Sequence, residues 1–137
     1  MKVRIFIVDD EPAVAKVLET YLKELIDDFE VIPASNGQEA IEKMAKMLEE
    51  EVPPDVTLMD LRMPVMDGLE SSRQLSAMGV NNIHILTAYI NSDLAKVAVT
   101  VGVKGIMDKK EGFKAIAGRV AGMVRDMRKT DSEDVPC

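Results

Sequence analysis

Short apolar runs alternate with longer amphipathic segments along most of the chain. The short runs are rich in β-branched residues, which is typical of strands buried on both faces of a sheet. The longer segments carry apolar residues three and four positions apart, which predicts amphipathic helices. Each predicted strand is followed by one such helix, so strand and helix alternate five times. The predicted strands are VRIFIV, FEVIPA, VTLMD, IHILTA and VKGIMD.

Local signals mark where several of the helices begin and end. Pro12 opens the first helix at a position that tolerates proline, and the apolar face of this helix, which includes Leu25, continues to Ile26. Either Ser35 or Asn36 is the predicted N-cap of the second helix, and Glu39 can complete a capping box. These signals support the helical interpretation of both segments.

The last predicted helix, GFKAIAGRVAGMVRDMRK, contains two glycines, Gly118 and Gly122. A glycine inside a helix costs about 1 kcal/mol relative to alanine. We therefore expect tight packing or a partner surface at these two positions.

The alternation predicts an α/β domain in which a parallel sheet has helices on both faces and is wound right-handedly. We assign residues 1–130 to this domain and residues 131–137 to a polar C-terminal tail. Sheets of this type bind ligands outside the carboxyl ends of their strands, where the strand order reverses. Candidate functional residues are therefore those that end or follow the strands.

Composition narrows the class of protein. A chain of 137 residues that is 47% hydrophobic suits a single core and excludes a disordered chain. No apolar run approaches the roughly 18 residues that a membrane span needs, and no signal peptide opens the chain, so we expect no membrane association. The one cysteine, Cys137, excludes an intrachain disulfide and favours a cytoplasmic protein.

The net charge of −7 is distributed unevenly. Residues 1–70 hold 17 acidic and 7 basic residues, whereas residues 71–130 hold 4 acidic and 10 basic ones. This asymmetry suggests a cation site in the first part and a protein-docking face in the second. A chance distribution of solvated charges is the simpler explanation of the counts alone. The basic excess is small and lacks interleaved aromatic residues, which argues against nucleic acid as a direct partner.

Chemically versatile side chains follow four of the predicted strands. Asp9 and Asp10 follow the first, Asp60 ends the third, Thr87 ends the fourth and Lys109 follows the fifth. Aspartates after strands often cap helices, but this joint placement at strand ends predicts one site. Three carboxylates so close repel one another unless a cation neutralises them, and Mg²⁺ suits a site with few protein ligands. Carboxylate, Mg²⁺, lysine and hydroxyl together indicate phosphoryl transfer.

Four motifs at these strand ends resemble those of the receiver domain of two-component response regulators, the CheY-like family. They are IVDDE, DLRMPVMDG, LTA and MDKK, and DLRMPVMDG is the most specific of them. The resemblance covers residues 2 to about 128. It implies a doubly wound five-stranded parallel sheet with strand order 2-1-3-4-5 and five helices, which is the flavodoxin-like (CheY-like) fold.

The resemblance also implies the acceptor and the metal ligands. Asp60 matches the phosphoacceptor, which receives the phosphoryl group from a histidine kinase or a phosphotransfer protein. Asp10 matches the direct Mg²⁺ ligand, and Asp9 matches the acid that holds the ion mostly through water. The backbone carbonyl of Arg62 is a further expected ligand, and Mn²⁺ is an alternative ion.

The remaining site residues follow from the same resemblance. Thr87 matches the hydroxyl that binds the phosphoryl oxygens after transfer. Lys109 matches the lysine that pairs with the acceptor and then with the phosphate. In the loop after the acceptor, Pro64 is expected to stiffen the backbone, and Gly68 is expected to relax the chain before the third helix.

Several positions depart from the family or vary within it. Ile106 stands where the family usually has a tyrosine or phenylalanine that turns inward on activation. Lys110 follows Lys109 where the family usually has proline, and we expect a trans bond there because a cis bond without proline costs about 3 kcal/mol. Arg62 and Tyr89 border the phosphate in the family, and their bulk suggests slow hydrolysis of the phosphoaspartate. Tyr89 is also a candidate for the missing aromatic switch.

The leading interpretation is a signalling switch rather than an enzyme, acting alone or within a longer regulator. Phosphorylation would change a face formed by the fourth helix, fifth strand and fifth helix, where an output partner protein docks. Lys104, Lys114 and Arg119 are the candidate docking residues. The sequence leaves open whether the chain also forms a homodimer.

Two other interpretations stay open. A degenerate receiver would bind partners without phosphorylation, which Ile106 and Lys110 favour and the complete set of site residues opposes. A phosphatase of the haloacid dehalogenase type also uses an aspartate nucleophile and Mg²⁺, but in an Asp-x-Asp pattern after the first strand, where this chain has VDDE. Steady turnover of a phosphate ester would distinguish the phosphatase.

Overall fold

The computed structural model describes residues 2–133, with side chains up to residue 129. Strands and helices alternate throughout this part of the chain, and a short 3₁₀ turn over Lys109–Glu111 precedes the last helix. The strands are β1 Val3–Val8, β2 Phe29–Ala34, β3 Val56–Asp60, β4 Ile83–Thr87 and β5 Gly105–Asp108. The helices are α1 Pro12–Lys23, α2 Gly37–Glu49, α3 Gly68–Ala77, α4 Ser92–Thr100 and α5 Phe113–Glu133.

The five strands form one parallel sheet in the order β2-β1-β3-β4-β5. The predicted α/β fold class and strand order are therefore confirmed. The register pairs Asp60 with Leu86 and Thr87 with Asp108, so the last residues of β3, β4 and β5 lie close to one edge of the sheet. The order reverses between β1 and β3, which directs the segments after these two strands towards each other.

Two hydrophobic cores cover the two faces of the sheet, which explains the nearly unbroken apolar runs. Along β1, Ile5 and Ile7 point into a core shared with α1 and α5, while Phe6 and Val8 point into a core shared with α2, α3 and α4. Because successive side chains of a strand point to opposite faces, a strand buried on both faces must be apolar at every position.

Asparagine and aspartate side chains cap three of the helices. Asn36, rather than Ser35, is the N-cap of α2, and its side chain accepts a hydrogen bond from the backbone N–H of Glu39 at 2.8 Å. The Glu39 carboxylate accepts a bond in return from the N–H of Ser35 at 3.2 Å, so the predicted capping box closes one residue earlier than usual. Asp67 and Asn91 cap α3 and α4 in the same way.

The structure corrects two details of the sequence prediction. α1 ends at Lys23, and Leu25 lies in the following turn with 38% of its surface exposed, so it is not part of the apolar face. Tight packing at Gly118 and Gly122 is also wrong, because a Cβ added at either position would meet nothing within 4 Å. α5 itself extends to Glu133, into the predicted tail, and residues 134–137 lie outside the described residues.

Candidate functional site at the carboxyl ends of the strands

The residues selected at the strand ends lie around one open cavity of about 280 Å³. The cavity is lined by Asp10, Glu11, Asp60, Arg62, Thr87, Ala88, Tyr89 and Lys109. Asp9 is buried, and its carboxylate accepts a hydrogen bond from Lys109, which lines the cavity. The fold thus brings together side chains that are up to 100 residues apart in the sequence.

Three carboxylates converge in this cavity. One oxygen each from Asp9, Asp10 and Asp60 lies within 4.8 Å of the other two. Asp9 and Asp60 are only 5% and 7% exposed, whereas Asp10 faces solvent. Oxygens bound to one octahedral Mg²⁺ are about 3–4 Å apart, since each lies about 2 Å from the ion. The donor chemistry and spacing of this cluster therefore fit a small hard cation with one side open to water.

Lys109 provides the fixed positive charge of the cluster. Its Nζ donates to Asp9 Oδ2 at 2.9 Å and lies 3.3 Å from Asp60 Oδ1. Burial alone would lower the pKa of this ammonium, but its hydrogen bonds and attraction to Asp9 and Asp60 hold the pKa above the usual 10.5. Lys109 is therefore charged at neutral pH and offsets part of the repulsion between the two buried carboxylates.

The single positive charge of Lys109 does not offset the negative charge of the three carboxylates. Burial, and after it repulsion from Asp9, raises the pKa of Asp60 from 3.8 to about 6. Attraction to Lys109 opposes this rise, and Asp10 adds a smaller repulsion. Perturbed carboxylates of this kind are concentrated at functional sites. A divalent cation in the cluster would remove the repulsion that raises this pKa.

Thr87 ends β4 beside the acidic cluster and is almost fully buried. Its Oγ1 accepts a hydrogen bond from the backbone N–H of Tyr89 at 3.1 Å. This bond fixes the hydroxyl oxygen at the lining of the cavity, and among the described residues no acceptor takes its proton. It also links the position of Thr87 to the loop that leads into α4.

The β3–α3 loop folds tightly behind Asp60. Met66 N donates to Pro64 O at 2.9 Å across Val65, whose φ of 75° is a strained value for a β-branched residue. A Cβ at Gly68 would lie well within 3.0 Å of the carbonyl oxygen of Asp60. Gly68 does not have a positive φ, so the expected role in relaxing the chain is wrong, and close backbone approach requires glycine here.

Two features of the cavity did not emerge from the sequence. Glu11 lines the cavity, and its backbone N–H donates to Asp9 Oδ1 at 2.9 Å. The bulk of Arg62 and Tyr89 is evident from the sequence, but their contact is not: the guanidinium carbon lies 4.0 Å from the centre of the tyrosine ring. Each follows a strand end by two residues, which is the only sequence signal that relates them.

The two departures from the family pattern have clear structural settings. Lys109 and Lys110 lie in the short 3₁₀ turn, and their peptide bond is trans, as expected.

Ile106 is partly buried against the α4 side of the sheet and lines a groove of about 240 Å³ between α4 and β5. Val99 of α4 borders this groove and is 75% exposed. Among the predicted docking cations, Arg119 is held by Glu111 at 2.7 Å, whereas Lys104 borders the groove.

Residues 5–121 match the model of the response regulator receiver domain family. The chain therefore belongs to this family, whose members are phosphorylated in two-component signalling and bind Mg²⁺ in an acidic pocket. Within the described residues, no helix is long and apolar enough to cross a membrane.

Comparison with individual proteins gives the same result. The chain is 38% identical to the transcriptional regulatory protein LnrK of Bacillus subtilis over 109 residues, which are 78% of this chain and 47% of that protein. It is 37% identical to a protein-glutamate methylesterase/protein-glutamine glutaminase of Mesorhizobium japonicum over 99 residues, which are 72% of this chain and 28% of that protein. The chain thus spans less than half the length of either relative.

The fold also matches solved structures. One is the complex of CheX with CheY, BeF₃ and Mg²⁺ from Borrelia burgdorferi, with a TM-score of 0.75 and 23% sequence identity. The match covers 89% of each chain.

Proposed function

We propose that this receiver domain accepts a phosphoryl group on Asp60 from the phosphohistidine of a histidine kinase or phosphotransfer protein, in a Mg²⁺-dependent reaction. The observation that carries the proposal is the position of the Asp60 carboxylate, which lies 3.3 Å from Lys109 Nζ and within 4.8 Å of oxygens from Asp9 and Asp10. A carboxylate that attacks a negatively charged phosphoryl group needs positive charge beside it, which Lys109 and a metal ion held by the acidic cluster would supply.

In the proposed step, a carboxylate oxygen of Asp60 attacks phosphorus as the phosphorus–nitrogen bond of the phosphohistidine breaks. The imidazole leaves with the bonding electron pair, and the carboxylate becomes an acyl phosphate. Lys109 and the Thr87 hydroxyl, both lining the cavity, donate to the phosphoryl oxygens. Later attack of water on phosphorus releases inorganic phosphate and restores the carboxylate, so we propose no turnover of other substrates.

We propose that Asp9, Asp10, Asp60 and the backbone carbonyl of Arg62 hold the Mg²⁺ ion, with Asp9 acting mostly through water. When bound, the ion neutralises carboxylate charge and stabilises the phosphoryl oxygens during transfer. The low exposure of Asp9 and its bond to Lys109 support the water-mediated role, because this carboxylate already has a cationic partner. Mn²⁺ prefers the same oxygen ligands and is the alternative ion.

We propose that the output partner binds the face formed by α4, β5 and α5. Two observations support this: the apolar groove beside Ile106, and exposed Val97 and Val99 on α4. Lys104 at the edge of the groove and exposed Lys114 on α5 supply positive charge. Exposed apolar patches with a charged rim are typical of protein interfaces. A homodimer through this face is the second assembly to test, and we propose the cytoplasm as its location.

The test is the intact mass of the protein after incubation with acetyl phosphate and Mg²⁺. The wild-type protein is expected to gain one phosphoryl group, and the gain should disappear in EDTA and in Asp60→Asn. Asp93→Asn, at an exposed position on α4, is the matched control and should be phosphorylated normally. Absence of a gain in wild type with both acetyl phosphate and a phosphohistidine donor would refute the proposal.

A further inference from the structure

The side chains of Arg62 and Tyr89 form a bridge across the mouth of the cavity. Arg62 belongs to the β3–α3 loop and Tyr89 to the β4–α4 loop, and both line the cavity. The guanidinium lies over the ring at 4.0 Å, the geometry of a cation–π contact. Tyr89 is 55% exposed and Arg62 is also exposed, so packing does not force the two side chains together.

Charge explains why the position of Arg62 matters. The cavity is lined by two cationic side chains, Lys109 and Arg62. Lys109 is already bonded to Asp9 and lies beside Asp60. Among the described residues, Arg62 has no carboxylate partner within salt-bridge distance and rests on an uncharged ring instead. It is therefore the cation of the cavity that can move without breaking an ion pair.

Phosphorylation of Asp60 increases the negative charge at this point. A carboxylate with one negative charge becomes an acyl phosphate with about two, and it gains three acceptor oxygens. Guanidinium groups bind phosphoryl oxygens in bidentate fashion, and such charge-assisted bonds are stronger than a contact with the face of an exposed ring. The added charge therefore favours movement of the guanidinium from the ring to the phosphoryl group.

We propose that the Arg62 side chain binds the phosphoryl group on Asp60. In the unphosphorylated protein, Tyr89 holds the guanidinium in a cation–π contact, and phosphorylation of Asp60 opens this Arg62–Tyr89 stack. Arg62 thereby acts in the phosphorylated protein, and Tyr89 is a positioning residue for it. The inference rests on the proposed function, because it requires a phosphoryl group at Asp60.

Opening the stack has a direct path to α4. The backbone N–H of Tyr89 bonds to Thr87 Oγ1, and Asn91, the N-cap of α4, follows Tyr89 by two residues. A tyrosine released from Arg62 frees the β4–α4 loop just where the Thr87 hydroxyl engages the phosphoryl group. Since Ile106 has no aromatic ring to reorient, this loop is the element that carries the change to the α4 face.

The test measures the affinity for beryllium fluoride in saturating Mg²⁺ by ¹H–¹⁵N NMR titration, with four variants. Arg62→Met removes the charge and should weaken binding about tenfold, the effect of one good charge-assisted contact. Tyr89→Leu releases the guanidinium and should tighten binding about two- to fivefold. The double variant should bind like Arg62→Met, because without the guanidinium the ring has nothing to hold. Tyr89→Phe keeps the ring, so this variant should bind beryllium fluoride with the affinity of the wild type.

The NMR signal of the Arg62 Nε–H group, identified by its loss in Arg62→Met, reports the stack directly. In the wild type it should move away from its ring-shifted position when beryllium fluoride binds, and in Tyr89→Leu it should lack that shift from the start. The inference is overturned if Arg62→Met binds within twofold of wild type, if Tyr89→Leu binds no tighter, or if the Nε–H signal does not move. Failure of the wild type to bind beryllium fluoride would overturn the proposed function as well, so the two failures are distinguishable.

Discussion

Replacing Asp60 with asparagine is expected to stabilise the metal-free protein, although it removes the partner of Lys109. Burial and the neighbouring carboxylate of Asp9 raise the pKa of Asp60 from 3.8 to about 6, even with Lys109 at 3.3 Å. At 1.36 kcal/mol for each tenfold change in acidity, keeping this carboxylate ionised in the fold costs about 3 kcal/mol at neutral pH. Asparagine is neutral and nearly the same shape, so it should recover about 2–3 kcal/mol of unfolding free energy.

The pH dependence gives this prediction a distinctive sign. Between pH 3.8 and about 6 the folded protein holds more protons on Asp60 than the unfolded chain does, so its stability falls as the pH rises. The free-energy cost of ionising Asp60 in the folded protein is absent below pH 3.8 and complete above a pH of about 6. The advantage of Asp60→Asn should therefore be about 1.5 kcal/mol at pH 5 and about 3 kcal/mol at pH 7.5.

Urea denaturation in EDTA, followed by circular dichroism at the two pH values, measures both differences. Asp27→Asn, at an exposed position, is the matched control and should change stability little at either pH. Saturating Mg²⁺ should stabilise the wild type and narrow its gap to Asp60→Asn, since the ion binds the folded carboxylates. A variant no more stable than wild type at pH 7.5, or a gain equal at both pH values, would refute the reasoning.

Three further predictions follow from the same contacts. Lys109→Met removes a cation that competes with the metal for the Asp60 carboxylate, so Mg²⁺ affinity measured by calorimetry should rise at least about threefold; weaker binding would contradict the proposed site. Gly68→Ala places a Cβ against the carbonyl oxygen of Asp60 and should cost about 1–3 kcal/mol in urea denaturation, whereas Gly118→Ala, with open space around it, should gain about 1 kcal/mol. A gain of stability in Gly68→Ala together with a loss in Gly118→Ala would show that these local geometries do not control stability. Thr57→Val replaces a buried hydroxyl that has no partner among the described residues and should stabilise the fold by about 1 kcal/mol; a loss would show that the hydroxyl is paired.

Much of the fold could be predicted because its signals are local. The continuous apolar runs correspond to strands with both faces buried, as the opposite orientations of Ile5 and Phe6 show. The N-cap at Asn36 lies where the turn residues indicated. Leu25 was misassigned because apolar spacing continues past the end of α1, and a pattern contains no information about where a helix turns away from the core.

Pairwise contacts at the site were harder to predict because they depend on distance rather than order. Asp9, Asp60 and Lys109 are candidates from the sequence because each ends or follows a predicted strand. It could not predict that Lys109 would bond more closely to Asp9, at 2.9 Å, than to Asp60, at 3.3 Å. The close approach that requires Gly68 was equally invisible, because it depends on how the loop folds back onto β3.

The sequence by itself determined the alternation of strands and helices and placed acids, a hydroxyl and a lysine at the carboxyl edge, because periodicity and strand ends are local properties of the chain. Only the tertiary structure decided how charge is shared there. Lys109 lies between two buried acids, while Arg62 rests on Tyr89 and has no carboxylate partner in the part of the chain that the structure describes. Electrostatic energies depend on distance and burial, and both are fixed only when the loops after β3, β4 and β5 meet.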